Sequence, residues 1–76
     1  MYMKGITDMN RTPLTDKYGR PYAYLDIDAN GDIFGRDVYG RIMASYRAAT
    51  NTTHEGLFGR ILGYGNTVAA YLSPNN

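Results

Sequence analysis

The chain has 76 residues, a formal net charge of +1 and no cysteine. That length gives one domain with a thin stability margin, because a chain this short buries only about 60% of its unfolded surface. Disulfides, thiolate zinc sites and cysteine nucleophiles are excluded outright, and the near-neutral charge argues against a strongly basic nucleic-acid surface.

From the N-terminus, Met1 to Asn10 has no apolar run long enough for a signal peptide or a membrane helix. The expectation is therefore a cytoplasmic chain that makes no membrane contact. A short strand is predicted within residues 2–7. The segment YGRPYAYL then begins at Tyr18, and related segments follow: YGRIMASY from Tyr39 and YGNTVAAYL from Tyr64. The last two extend upstream, where IFGRDV from Ile33 aligns with LFGRIL from Leu57 if Gly63 is a one-residue insertion. The repeats thus lie near residues 18–25, 33–46 and 57–72. The chain contains four aromatic-Gly-Arg triplets, too many for accident.

Glycine tolerates the positive φ of tight turns, so Tyr39-Gly40 and Tyr64-Gly65 read as hairpin tips. The flanking residues are β-branched and aromatic, as strands prefer. Strands are predicted near 20–28, 31–36, 41–47, 56–62 and 66–72, with Ala48 to Glu55 as a polar loop. Alternation places Pro21, Ala23, Leu25 and Ile27 on one face, with Tyr22, Tyr24, Asp26 and Asp28 on the other. Asn30-Gly31 predicts a type I′ hairpin. A helix over Val38–Ala49 is disfavoured by Gly40 near its start.

The segment Val68–Leu72 is apolar on both faces, so a strand there requires burial from both sides. Either the sheet closes or a second subunit covers it. The fold expected is all-β: a small antiparallel meander or barrel of five to six short strands, built from internal β-hairpin repeats. Self-association is expected with it, since small scaffolds without disulfides gain stability from oligomerisation or a metal.

One loop carries metal-ligand spacing. Asp26-x-Asp28-x-Asn30-Gly31 followed by Asp37 places oxygen ligands at alternate positions, as a hard cation requires. These residues resemble the loop of EF-hand and dockerin-type calcium modules. The resemblance implies calcium held by Asp26, Asp28, Asn30 and Asp37, whereas the residues alone equally describe an Asn-Gly hairpin bearing solvated aspartates. No other cofactor is indicated.

Six of the eight basic residues are arginine, and there are eight tyrosines. Both types favour binding hot spots, because each adds directed hydrogen bonding to a flat contact area. Tyr18, Arg20, Arg36, Tyr39, Arg41, Arg60 and Tyr64 are the candidate binding residues, beside the turn glycines. The plainer reading pairs these arginines with Asp16, Asp32, Asp37 or Glu55 on a solvated surface. His54 is the only histidine and lies in the expected loop, and no nucleophile elbow or phosphate loop is present. The chain therefore reads as a non-catalytic interaction module, of inhibitor or adaptor type. The alternatives are a small-ligand binder for a nucleotide or sugar and a calcium module.

Overall fold

The structure, a computed structural model, describes residues 10–73. Six strands follow one another: β1 (Asn10–Thr15), β2 (Pro21–Ile27), β3 (Ile33–Asp37), β4 (Ile42–Arg47), β5 (Thr52–Glu55) and β6 (Ile61–Tyr64). They form one antiparallel sheet in the order β1-β2-β3-β4-β5-β6, so every strand pairs with its neighbour in sequence. The sheet is an open meander, and the barrel alternative is not formed. A 3₁₀ turn, Val68–Tyr71, follows β6 and lies against β3 and β4.

Several sequence-based expectations are corrected by this arrangement. The strand expected over 66–72 is the 3₁₀ turn, and the one expected over 56–62 is mostly the loop leading into β6. The apolar run Val68–Leu72 is thereby explained within the chain. Val68 and Leu72 point into the sheet and are buried, while Ala69, Ala70 and Tyr71 are exposed. The argument for a covering subunit drawn from that run falls with it. The polar loop expected over 48–55 instead contains β5, whose Thr52, Thr53 and His54 are buried. The strand expected within residues 2–7 lies outside the described residues.

Why β5 forms from polar residues is visible in its partners. Thr53 Oγ1 donates to the Gly65 carbonyl at 2.7 Å and accepts from Thr67 N at 3.0 Å. The His54 ring is held between Gly59 O, 2.9 Å from Nδ1, and Thr52 Oγ1, 2.8 Å from Nε2. A carbonyl only accepts, so Nδ1 carries the hydrogen. Each buried polar side chain is thus satisfied, which removes the desolvation cost that would otherwise expel it.

The core is small and one-sided. Ala23 on β2 and Ala44 on β4 form the buried apolar cluster with Val68 and Leu72, and Leu14, Tyr22, Leu25 and Tyr46 pack around it. The alanines are those that the repeat expected from the sequence aligns with Ala69, yet Ala69 is exposed. Gly35 on β3 makes the close approach possible. A Cβ there would lie 2.6 Å from Val68 Cγ1 and 3.0 Å from Leu72 Cδ1. Glycine inside this strand marks where another segment seats against the backbone.

The opposite face carries a polar row. Register places Arg11, Asp26, Phe34, Ser45 and His54 side by side across β1 to β5. Asp26 was expected to be a solvated charge, yet it is 2% exposed. Its carboxylate accepts Arg11 Nε at 2.7 Å and Arg11 Nη2 at 2.8 Å, and Arg36 Nε at 2.9 Å. Phe58 folds over the same face at φ +54°, with its ring 5.6 Å from that of Phe34 and 5.7 Å from that of His54.

Candidate binding site

Three turns share one local design, and sequence dictates it. In Asp16–Arg20, Asp28–Asp32 and Asp37–Arg41 the first residue is aspartate and the fourth is glycine. The aspartate N–H donates to the carbonyl of the fifth residue (2.8, 3.0 and 3.0 Å), and the glycine N–H returns to the aspartate carbonyl. The aspartate Oδ1 accepts the backbone N–H of the third and fifth residues, at 2.8–3.0 Å. Glycine takes positive φ, +81° at Gly19 and +88° at Gly40. This is a three-residue hairpin loop in which Asp prepays the turn's hydrogen bonds and Gly supplies the left-handed residue. Asn30-Gly31 therefore belongs to a three-residue loop closed by Asp28, and the type I′ expectation is corrected.

The meander sorts these turns between the two ends of the sheet. Loops Asp16–Arg20, Asp37–Arg41 and Glu55–Arg60 share one end, while Asp28–Asp32 and the turn at Ala48–Asn51 share the other. Arg20, Arg41 and Arg60 each close a loop at the first end, where Arg60 O accepts from Glu55 N at 2.8 Å. Sheet geometry spaces them two strands apart, about 10 Å from one to the next. Tyr18, Arg20, Tyr39, Arg41 and Arg60 are thus brought together at one end.

Arg36 reaches toward that end as well, since its Nη1 donates to Gly40 O at 2.8 Å while Nε holds Asp26. Tyr64 is not part of the group. It ends β6 at the far side, and Gly65 N donates to Asn51 O there at 2.7 Å. Tyr64-Gly65 consequently does not form the turn of its two sequence counterparts. Likewise, Phe34-Gly35-Arg36 lies within β3, while Phe58-Gly59-Arg60 leads into β6.

Each arginine of the end has a carboxylate at its back. Arg41 Nε meets Asp37 Oδ2 at 2.7 Å, Arg20 Nε meets Asp16 Oδ2 at 3.4 Å and Arg60 Nε meets Glu55 Oε1 at 3.3 Å. These are the surface pairs that the plainer sequence reading named. Arg36 differs, pairing with buried Asp26 instead of a turn residue. Backbone N–H donation from Arg20 holds the Asp16 carboxyl below its ordinary value against a smaller opposing effect of burial. At Asp37 burial opposes ionisation, but the N–H groups of Arg41 and Tyr39 and the Arg41 guanidinium together pull its carboxyl below the ordinary value.

Between the first two hairpins lies a groove of 510 Å³, lined by both turns and by Tyr22, Met43 and Tyr71. Tyr39 lines it and is 82% exposed, while Tyr18, 69% exposed, lies in the other turn outside the lining. Arg20 lies 5.2 Å from the Tyr18 ring centre and Arg41 lies 5.8 Å from that of Tyr39. Tyr22, Met43, Tyr71 and Asp16 were not nominated for binding from the sequence, and Asp37 only as a calcium ligand. A signal existed for four of the five. Aspartate precedes Arg20 and Arg41 by four residues, and Tyr22 and Met43 follow by two, where a register shift interrupts the ladder. That shift brings Tyr22 against the core cluster, reversing the face assigned to it by alternation.

The calcium reading fares differently. Asp26 is engaged by two arginines, and Asp28 and Asp37 cap separate turns at opposite sheet ends. Asn30 lies in the Asp28 loop. Among the described residues no three acidic, histidine or cysteine side chains are grouped to hold a metal ion. The EF-hand-like spacing is thus distributed over a strand and two turns, because β3 runs across the sheet from the Asp28 turn at one end to the Asp37 turn at the other. No described helix is long and apolar enough to cross a membrane. Comparison with protein-family models, curated proteins and solved structures gives no match.

Proposed function

We propose that the chain is a non-catalytic binding module, of inhibitor or adaptor type, and that it engages a partner protein through the end of the sheet formed by the Asp16–Arg20 and Asp37–Arg41 turns. The observation supporting this reading is the groove between two identically built hairpin tips, edged by exposed Tyr39, Arg20 and Arg41. Tyrosine and arginine on rigid, hydrogen-bonded turns lose little conformational freedom on binding, which is the condition for a hot spot. The test is a quantitative pull-down with the intact chain and with Tyr39→Ala and Arg41→Gln. Partner retention should drop in both variants and persist in Asn30→Ala at the far end. Equal retention across all of them would refute the reading.

A second reading is favoured by the groove's size, which falls in the range of roughly 300–1,000 Å³ typical of small-ligand sites. A nucleotide or sugar would use the tyrosine rings and guanidinium groups. Thermal shift against both panels tests it, because a ligand at 100 times its dissociation constant adds roughly 2.7 kcal/mol of stability. Self-association belongs to the proposal through the outer edges of β1 and β6, which pair with no other strand among the described residues. Pro13 interrupts the first of these, since it carries no N–H to share. Light scattering over a concentration series distinguishes a monomer from a dimer.

A further inference from the structure

We infer that the groove between the two tips takes an acidic peptide segment, with a carboxylate held between Arg20 and Arg41. The inference rests on the partner-protein reading above and adds the chemistry of what is recognised.

Charge at the groove is layered. The side chains of Arg20 and Arg41 are 73% and 72% exposed, whereas those of Asp16 and Asp37 behind them are 23% and 19% exposed. Both aspartates spend Oδ1 on two backbone N–H groups, and Oδ2 faces the Nε atom of the arginine. Each guanidinium is thereby oriented from its Nε side. Among the described residues the Nη atoms of both donate no hydrogen bond. What the rim offers to a ligand is therefore a pair of donor forks, and planar forks suit carboxylates.

The inner carboxylates also limit the ligand. Two arginines against two aspartates leave the groove without net charge, so the closely packed charges of a polyphosphate exceed what the rim can offset at one point. Side-chain carboxylates spaced along a peptide bring one charge at a time to the forks. The rings of Tyr18 and Tyr39 already carry their own arginines on one side, at 5.2 and 5.8 Å, which reduces the surface open to a stacked base. Apolar contacts remain at Tyr22, Met43 and Tyr71, where the aliphatic part of a peptide can lie.

Arg60 provides the internal control. It closes a loop at the same end and is equally exposed, yet it does not line the groove, since its loop joins β5 to β6 beyond the two turns that form it. The experiment is calorimetric titration of the full chain with decaglutamate, decalysine, inorganic phosphate and adenosine triphosphate at two salt concentrations. Decaglutamate should bind and weaken with salt. The double variant Arg20→Gln/Arg41→Gln should lose about tenfold or more in affinity, as expected for charge-assisted forks. Arg60→Gln should change affinity less than about twofold, as an exposed charge outside the contact does. Arg20→Lys/Arg41→Lys should fall between, since lysine keeps the charge without the fork.

An equal loss in Arg60→Gln would reduce the effect to diffuse attraction and overturn the inference. So would phosphate or nucleotide binding without decaglutamate binding, or no saturable binding at all. If any of these occurs while Tyr39→Ala still abolishes partner retention in the pull-down, the ligand class is wrong and the binding end stands.

Discussion

The same pair of residue types, aspartate and arginine, is used in two opposite ways in this small sheet. At the centre, Asp26 is nearly inaccessible and ties β1, β2 and β3 together through Arg11 and Arg36. At the hairpin end, Asp16 and Asp37 sit beneath exposed arginines four residues away in the same turn. The difference lies in what surrounds the pair. Removal from water makes an ion pair costly to break, while exposure makes it weak and leaves its arginine available for other contacts. The centre holds the fold, and the end presents a surface.

The largest effect should come from Asp26→Ala, which strips the carboxylate from two guanidinium groups and should cost about 3 kcal/mol, the lower range for breaking a buried pair because both arginines reach solvent. Chemical denaturation measures it. The Arg11 guanidinium, more than any opposing effect of burial, holds the Asp26 carboxyl below its ordinary value, with Arg36 adding to it. A depressed carboxyl contributes stability that is complete above its unfolded value, near about 4. That contribution is lost as pH falls through the lower folded value. Acid titrations of the native chain and Asp26→Asn should therefore converge at the low end, with the variant showing the flatter limb.

Next in size is Gly35→Ala. The added Cβ meets Val68 and Leu72 too closely, and overpacking should cost about 2 kcal/mol in a urea melt. At the hairpin end Asp37→Ala should cost only about 1 kcal/mol, the worth of a lost side-chain cap on two N–H groups. The smallest effect belongs to Arg41→Gln, less than about 0.5 kcal/mol, because its pair is exposed. If Arg41→Gln destabilised as much as Asp26→Ala, the contrast between centre and end would collapse.

The hairpin logic of this fold was legible where short-range chemistry decides it. Tyr39-Gly40 reads as a chain reversal and is one, whereas Tyr64-Gly65 reads as one and is not, and β2, β3 and β4 lie close to where alternation places them. Alternation failed where the burial came from long-range partners. Thr52, Thr53 and His54 look like loop residues until Gly59 and Gly65 supply their hydrogen bonds. Val68 and Leu72 look like a strand because their contact with Gly35, more than thirty residues away, leaves no local trace. Asp26 looks solvated for the same reason, since Arg11 and Arg36 arrive from flanking strands. Of the candidate binding residues, the grouping at one end comes from strand parity, which needs the observed strand count and order, and Tyr64 was misplaced because sequence similarity stood in for position in the meander.

The central claim is that one end of the sheet binds and the other does not. Backbone amide shifts of the labelled chain, followed as the partner retained in the pull-down is added, test it most directly. Perturbations should gather at residues 16–22, 37–43 and 71–73. Perturbations centred on residues 28–32 and 48–51 would contradict it.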